Sequence, residues 1–238
     1  TLNTDFSATD VDDRQVNLTR FSLFFPEKRA FFLEDATTFE FGGLAANGRP
    51  FFSRKIGLSA NGQPIDLQAG AKLTGRVGNF AVGSLVVRQD ATEQLAAQTL
   101  FVGRAYANVL AQSTLGGIVT IGDPTSDRSN RLVGVDFNYR DREQLGGKLI
   151  DGRLWYQQTT TDDLEGNSAA FGARLDFPND RIDAGVSFTE IQANFFPALG
   201  FVNRANIRQY EGRFNFRRRF DSGRVRSWVT GVEYLQVN

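Results

Sequence analysis

From Pro64 onward the chain alternates apolar and polar residues with a period of two, interrupted at intervals by turn residues. Ser168 to Glu190 shows the unit most plainly. Ala169, Phe171, Ala173, Leu175 and Phe177 fall on one face of an extended strand, and Ser168, Ala170, Gly172, Arg174 and Asp176 on the other. After Pro178-Asn179-Asp180 the pattern resumes, with Ile182, Ala184, Val186 and Phe188 against Asp183, Gly185, Ser187 and Thr189. Successive side chains on a strand point to opposite faces, so this stretch predicts a hairpin with one apolar and one polar surface. The same rule predicts strands over 65–76, 99–109, 115–121, 133–140, 146–156, 206–220 and 224–237, and one over 80–88 with both faces apolar. In Gln209–Phe220, Tyr210, Gly212, Phe214, Phe216 and Phe220 oppose Gln209, Glu211, Arg213, Asn215, Arg217 and Arg219.

The connectors carry separate information. Tight turns near 77–79, 111–113, 141–143, 178–180 and 221–223 alternate with longer loops near 89–97, 123–130, 158–167 and 192–205. Short connections on one side and long ones on the other are the signature of an outer-membrane barrel. The fold expected is therefore all-β, an antiparallel up-and-down transmembrane β-barrel. The last strand, followed outward from the turn at 221–223, ends on the external side. An even-stranded barrel has both ends periplasmic, so the chain is expected to be an incomplete part of a larger barrel. Its final edge would pair with Thr1–Ala8, with strands beyond Asn238 or with another subunit. As one domain overall, the chain divides into irregular N-terminal strands over 1–63 and a regular meander over 64–238.

Within 1–63, two short strands are expected around Asp10–Arg14, and Pro50–Ser59 reads as another strand ended by Asn61-Gly62. Pro26 cannot donate to a ladder. The segment Pro26–Asp35 is therefore expected to leave the sheet and cover or enter the barrel opening. Glu27, Lys28, Arg29, Glu34 and Asp35, beside Arg54 and Lys55, are the plug or gate candidates; the alternative is that neighbouring Phe residues anchor the segment and these charges merely pair.

Composition narrows the chemistry. Lys plus Arg and Asp plus Glu number 27 each, so no net charge steers the 238-residue chain toward nucleic acid. There are 22 Phe and 24 Gly, but no Cys, His or Met. Disulfides, thiolate metal sites and Ser–His hydrolase chemistry are thereby excluded. A chain without Met that starts at Thr1 reads as a processed or excerpted part of something longer. No apolar run approaches the ~20 residues of a transmembrane helix. Asp12 and Asp13, or Asp162, Asp163 and Glu165, supply oxygen ligands without calcium-loop spacing and read as solvated loops. Gly42-Gly43 and Gly146-Gly147 lack the context of a phosphate loop. No metal, cofactor or catalytic residue is nominated, and the chain is read as a non-enzyme. Lys72, Arg76, Arg104, Arg174, Arg213, Arg217 and Arg219 are the lumen-facing candidates, placed either to bind anionic solutes or to compensate acids on neighbouring strands. Trp155, Tyr156, Tyr210, Trp228 and Tyr234 are candidates for aromatic girdles.

Several segments occur together in a familiar order: TLNTDF (Thr1–Phe6), QVNLT (Gln15–Thr19), FFPEKRAFFL (Phe24–Leu33), FFSRKIG (Phe51–Gly57), AKLTG (Ala71–Gly75) and FPALGFVNR (Phe196–Arg204). Taken over nearly the whole chain, they resemble the barrel-forming region of a bacterial family, domain of unknown function 5916. The resemblance implies a barrel that usually follows a domain similar to family-9 carbohydrate-binding modules. It supplies no catalytic residue or substrate, and the upstream domain is missing here. The expectation is a protein of the Gram-negative outer membrane that mediates passage or surface binding of a solute, with a glycan as one candidate, and with lipid as its surroundings. The rival is a soluble or surface-attached β-rich carbohydrate-binding module.

Overall fold

The computed structural model describes residues 2–4, 26–143, 145–222 and 225–238. The expected strands around Asp10–Arg14, including Asp12 and Asp13, lie outside the described residues. The chain forms one antiparallel sheet in which sequence neighbours are spatial neighbours throughout. A short first strand, β1 (Leu2–Thr4), precedes ten long ones: β2 (Leu67–Val77), β3 (Phe80–Gln89), β4 (Gln98–Val109), β5 (Ser113–Ile121), β6 (Asn130–Asp141), β7 (Ile150–Thr161), β8 (Ala169–Pro178), β9 (Ile182–Ile191), β10 (Ile207–Arg219) and β11 (Ser227–Val237). β11 pairs with β10 alone among the described residues, and the sheet is not closed.

The period-two pattern sets the two faces. One, the covered face, carries the core: Leu85 and Val87 of β3, Leu100 and Val102 of β4, Ile118, Leu132, Trp155, Ala170, Ile191 and Ile207. Phe32, Phe39, Phe41 and Ile56 from the segment before β2, with Phe195 and Leu199 from the β9–β10 loop, pack onto it. The other face is bare, and exposes Leu73, Val133, Val135, Leu154, Leu175, Val186, Phe214 and Val232. Phe171 and Phe216 share that face, while Arg174, Arg213 and Arg217 stand on the covered side, as the alternation requires.

Three expectations change. Pro50–Ser59 is not a strand. It holds a 3₁₀ turn over Ser53–Lys55, and isolated bridges pair Arg49 with Phe201 and Leu58 with Pro64. Phe52 and Ile56 are thereby buried, which a straight strand on the sheet edge would not achieve. A bulge between Leu67 and Ala69 reverses the frame at the start of β2, so Leu67 enters the core although Ala69 and Leu73 do not. The β6–β7 connection is also longer than a tight turn, and β7 begins at Ile150 instead of Gly146.

Candidate functional site

The segment before β2 lies on the covered face, held first by a knot of its own residues and then by ties to β2, the β9–β10 loop and Asp136. Pro26–Asp35 is outside the ladder, as expected, with a single-turn helix α1 over Ala30–Leu33. Glu27 accepts hydrogen bonds from Arg29 Nε (2.9 Å), Arg29 Nη2 (2.8 Å) and Ser53 Oγ (2.6 Å). Arg29 also donates to the carbonyls of Ile56 and Ser53, both at 2.8 Å, and its guanidinium stacks over Phe32. Arg54 donates to the Pro26 carbonyl at 3.0 Å. This knot orders a stretch that offers no ladder of its own.

Burial raises the Glu27 carboxyl pKa, but hydrogen bonds from Arg29 and Ser53, with the Arg29 charge, outweigh it and hold the group below the ordinary glutamate value of 4.5. A carboxyl depressed in the folded state stabilises above its unfolded pKa, and that contribution fades as pH falls through the folded value. Glu27→Gln is therefore expected to lower the unfolding midpoint at pH 7, with the difference from the parent shrinking below about pH 4.5. Denaturant titrations of both chains across pH 3–7 check this; a pH-independent difference would contradict it.

The first tie joins this segment to β2. Lys72 Nζ donates to the carbonyls of Phe31 and Glu34, each at 2.6 Å, and Thr74 Oγ1 donates to Asp35 Oδ2 at 2.6 Å. The Glu34 carboxylate stands 3.8 Å from Lys72. The second tie is to the β9–β10 loop. Asn47 Oδ1 accepts from the backbone N–H of Asn203 (2.7 Å) and Arg204 (3.0 Å), and the Phe52 N–H donates to the Leu199 carbonyl at 2.8 Å. Gly200 permits this approach, because a Cβ there would stand 2.1 Å from the Arg49 carbonyl oxygen.

Beneath the segment lies a buried ion pair. Arg104 of β4 reaches across β5 to Asp136 of β6 at 2.6 Å, with both side chains almost fully buried. Gly116 of β5 makes the crossing feasible, since a Cβ at that position would lie 2.7 Å from Arg104 Nη1. Asp136 Oδ2 also accepts from the Gly42 N–H at 3.0 Å, which fastens the covering segment to the pair. Toward the short-turn end a cavity of about 610 Å³ opens beside this contact. Glu40, Arg49, Asp136, Arg140, Asp151 and Arg153 line it.

The remaining arginines form a row across β8, β9 and β10. Arg174 meets Asp176 at 2.5 Å, and Arg213 bridges Asp176 (3.4 Å) and Asp183 (3.0 Å). Arg217 and Arg219 converge on Asp180 in the β8–β9 turn at 3.2 and 2.5 Å. The Arg219 hydrogen bond, joined by that of Arg217, holds the Asp180 carboxyl below its usual range against partial desolvation. Compensation by neighbouring acids thus accounts for this row. Arg76 shares the covered face but stands exposed at the short-turn end of β2. Lys28 is exposed beside Glu27, whose carboxylate accepts its N–H, and Lys55 lies half-buried in the 3₁₀ turn. The acids Asp136, Asp176 and Asp183, which complete these contacts, lie in the polar frame of their strands. That frame was the available signal, although spacing alone could not assign their partners.

The bare face has its own order. Its charged residues among those described are Arg88, Arg131, Glu190 and Arg208 toward the long loops, and Asp141 and Arg218 toward the short turns. Between these two rims the face carries no charge. Near the long-loop rim Tyr156, Phe171, Phe188 and Tyr210 form a row, with successive ring centroids 6.3, 6.0 and 5.2 Å apart.

Residues 1–81 match the model of a family described as a domain of unknown function, DUF5916. The resemblance carried by the N-terminal segments is therefore borne out, within that span rather than over nearly the whole chain. The matched part holds the knot at Glu27, Gly42 and the 3₁₀ turn; Phe196–Arg204 lies beyond it. No curated protein and no solved structure matches the chain.

Proposed function

We propose that the chain forms wall and interior packing of a bacterial outer-membrane β-barrel that mediates passage or surface binding of a solute. The observation that carries this reading is the charge-free band on the bare face. Arg131 and Asp141 stand ten positions apart on β6, as do Arg208 and Arg218 on β10. At about 3.3 Å per residue this is about 33 Å along a strand, or about 23 Å of height at a tilt of about 45°. That is close to the apolar band of about 25 Å that lipid requires of such barrels. A protein in water has no reason to confine the charges of one sheet face to two rims.

On this reading lipid covers the bare face, the aromatic row marks the level of the external headgroups, and the covered face looks inward. The segment 26–58 then occupies the interior as a plug. Solute moves along the row of paired charges or binds at the mouth, and opening the path requires the ties at Glu27, Asn47 and Asp136 to loosen.

The two tryptophans provide the test. Trp228 is about half exposed on the bare face, whereas Trp155 is buried in the core. In vesicles of brominated phospholipid, Trp228 emission is expected to be quenched, so that Trp155→Phe leaves a strongly quenched protein and Trp228→Phe a weakly quenched one. Equal quenching of the two variants, or no association with vesicles, would overturn the reading.

A further inference from the structure

A second cavity lies at the opposite end of the covered face from the one beside Asp136. Its volume is about 430 Å³, within the range of small-molecule sites. Arg54, Lys55, Leu58 and Ser59 form one wall, and Phe196 and Pro197 of the β9–β10 loop form another. Thr125, from the β5–β6 loop, closes the third side. Two cations therefore meet an apolar surface that includes an exposed aromatic ring.

Among the described residues, no carboxylate lines this cavity. Asp123, in the same loop as Thr125, is buried, and its oxygens accept from Thr125 N (2.8 Å), Thr125 Oγ1 (2.8 Å) and Ser126 Oγ (2.6 Å). Lys55 is half-buried as a residue, and its side chain has no hydrogen-bond or ion-pair partner among the described residues. Arg174, Arg213, Arg217 and Arg219 of β8 and β10 each have an acid within reach, which Lys55 lacks among the described residues. A half-buried lysine without a counter-charge is a costly arrangement that a bound anion relieves. Ser59 Oγ accepts from the Gln63 N–H at 3.0 Å, which leaves its own proton available to a ligand oxygen.

The walls are held in place before any ligand arrives. The Phe196 carbonyl accepts from Asn130 Nδ2 at 2.7 Å, the Phe196 N–H donates to Thr159 Oγ1 at 3.2 Å, and the Ala198 N–H donates to Asn130 Oδ1 at 3.2 Å. Asn130 is itself buried in the sheet. Across the cavity, Arg54 is anchored on the Pro26 carbonyl, next to the knot around Glu27. A site whose walls are fixed in this way loses little to ordering on binding.

We infer that this cavity binds a small organic anion with an apolar body, its acid group on Lys55 and Ser59 and its ring or chain against Phe196, Pro197 and Leu58. The inference names a substrate class for the proposed solute function and rests on that reading only for its physiological meaning. Binding itself is a property of the folded chain, with or without a bilayer.

Lysine reactivity tests it directly. The folded full chain is pulse-acetylated with increasing benzoate, and labelling of its lysines is read by mass spectrometry. At benzoate about four times its Kd, Lys55 labelling is expected to fall about fivefold, following 1 + [L]/Kd. Labelling of Lys148, at the short-turn end, stays unchanged. Benzyl alcohol and benzylamine, of similar shape but without the negative charge, give no protection. Equilibrium dialysis then compares Lys55→Gln, expected to lose benzoate binding, with Lys55→Arg, expected to retain it. No protection by benzoate, or equal protection by benzyl alcohol, would overturn the inference. These outcomes are independent of tryptophan quenching, so a failed anion site and a failed membrane reading are distinguishable.

Discussion

Asp136→Asn is expected to cost about 3–5 kcal/mol of folding stability, because it leaves the Arg104 charge buried without a counter-ion. Both side chains are almost fully buried, so solvent cannot take over the role of the lost partner. The loss has a local signature as well. Asp136 also accepts from the Gly42 N–H and from Asn138 Nδ2, at 3.0 and 3.1 Å. Limited proteolysis between Glu40 and Ala45 should therefore accelerate in the variant beyond what global destabilisation explains. The double change Arg104→Met, Asp136→Leu should recover most of the stability, since well-packed apolar pairs often replace buried ion pairs without loss. A chemical-denaturation series of the parent and the two variants decides the matter. A single variant within 1 kcal/mol of the parent, on the scale of an exposed ion pair, would show that the pair is solvated.

The second large effect is conditional on the surroundings of the bare face. Phe214 is 46% exposed and stands in the charge-free band between Arg208 and Arg218. If lipid covers it, Phe214→Arg should cost about 2–4 kcal/mol, the depth-dependent penalty for a cation near the bilayer midplane. In water the same substitution at a half-exposed position should be nearly neutral. Urea titration of the chain folded into vesicles, compared with Arg218→Phe at the rim, measures the difference. The rim variant should be neutral or stabilising. A neutral Phe214→Arg in vesicles would remove the support that the band gives to the membrane reading.

Much of this architecture was legible in the residue order. Phe171, Val186 and Phe214 fall opposite Arg174 and Arg213 simply because strand side chains alternate, and the turns at Asn79 and Pro178 mark where the alternation restarts. Other features were not legible, for physical reasons. The bulge after Leu67 slips the frame by one residue without any composition signal, and a slip of one exchanges the two faces. Pro50–Ser59 has the residue types of a strand, yet burial of Phe52 and Ile56 against distant elements sets its conformation. The Arg104–Asp136 pair spans two strands and depends on the small size of Gly116, a three-strand coincidence that period-two reading does not contain. The plug or gate candidates were grouped by their closeness in the sequence alone. Their roles diverge in the fold: Glu27 and Arg29 tie the segment down, Asp35 reaches Thr74, and Lys55 faces a cavity.

The clasp between residues 47–52 and 199–204 bears on the order of assembly. Each long strand pairs with its immediate sequence neighbour, so the sheet can grow by successive hairpins with short loop closures. Among the described residues, the hydrogen bonds of Asn47 in this clasp join positions more than 150 residues apart, and its β9–β10 half emerges long after the other. Hairpin growth can therefore outrun the clasp, leaving the covering segment held by its contacts to β2 and Asp136 until the β9–β10 loop is in place. Closing the clasp is then the longest-range step of assembly, and substitutions in it should slow maturation more than substitutions in any single turn.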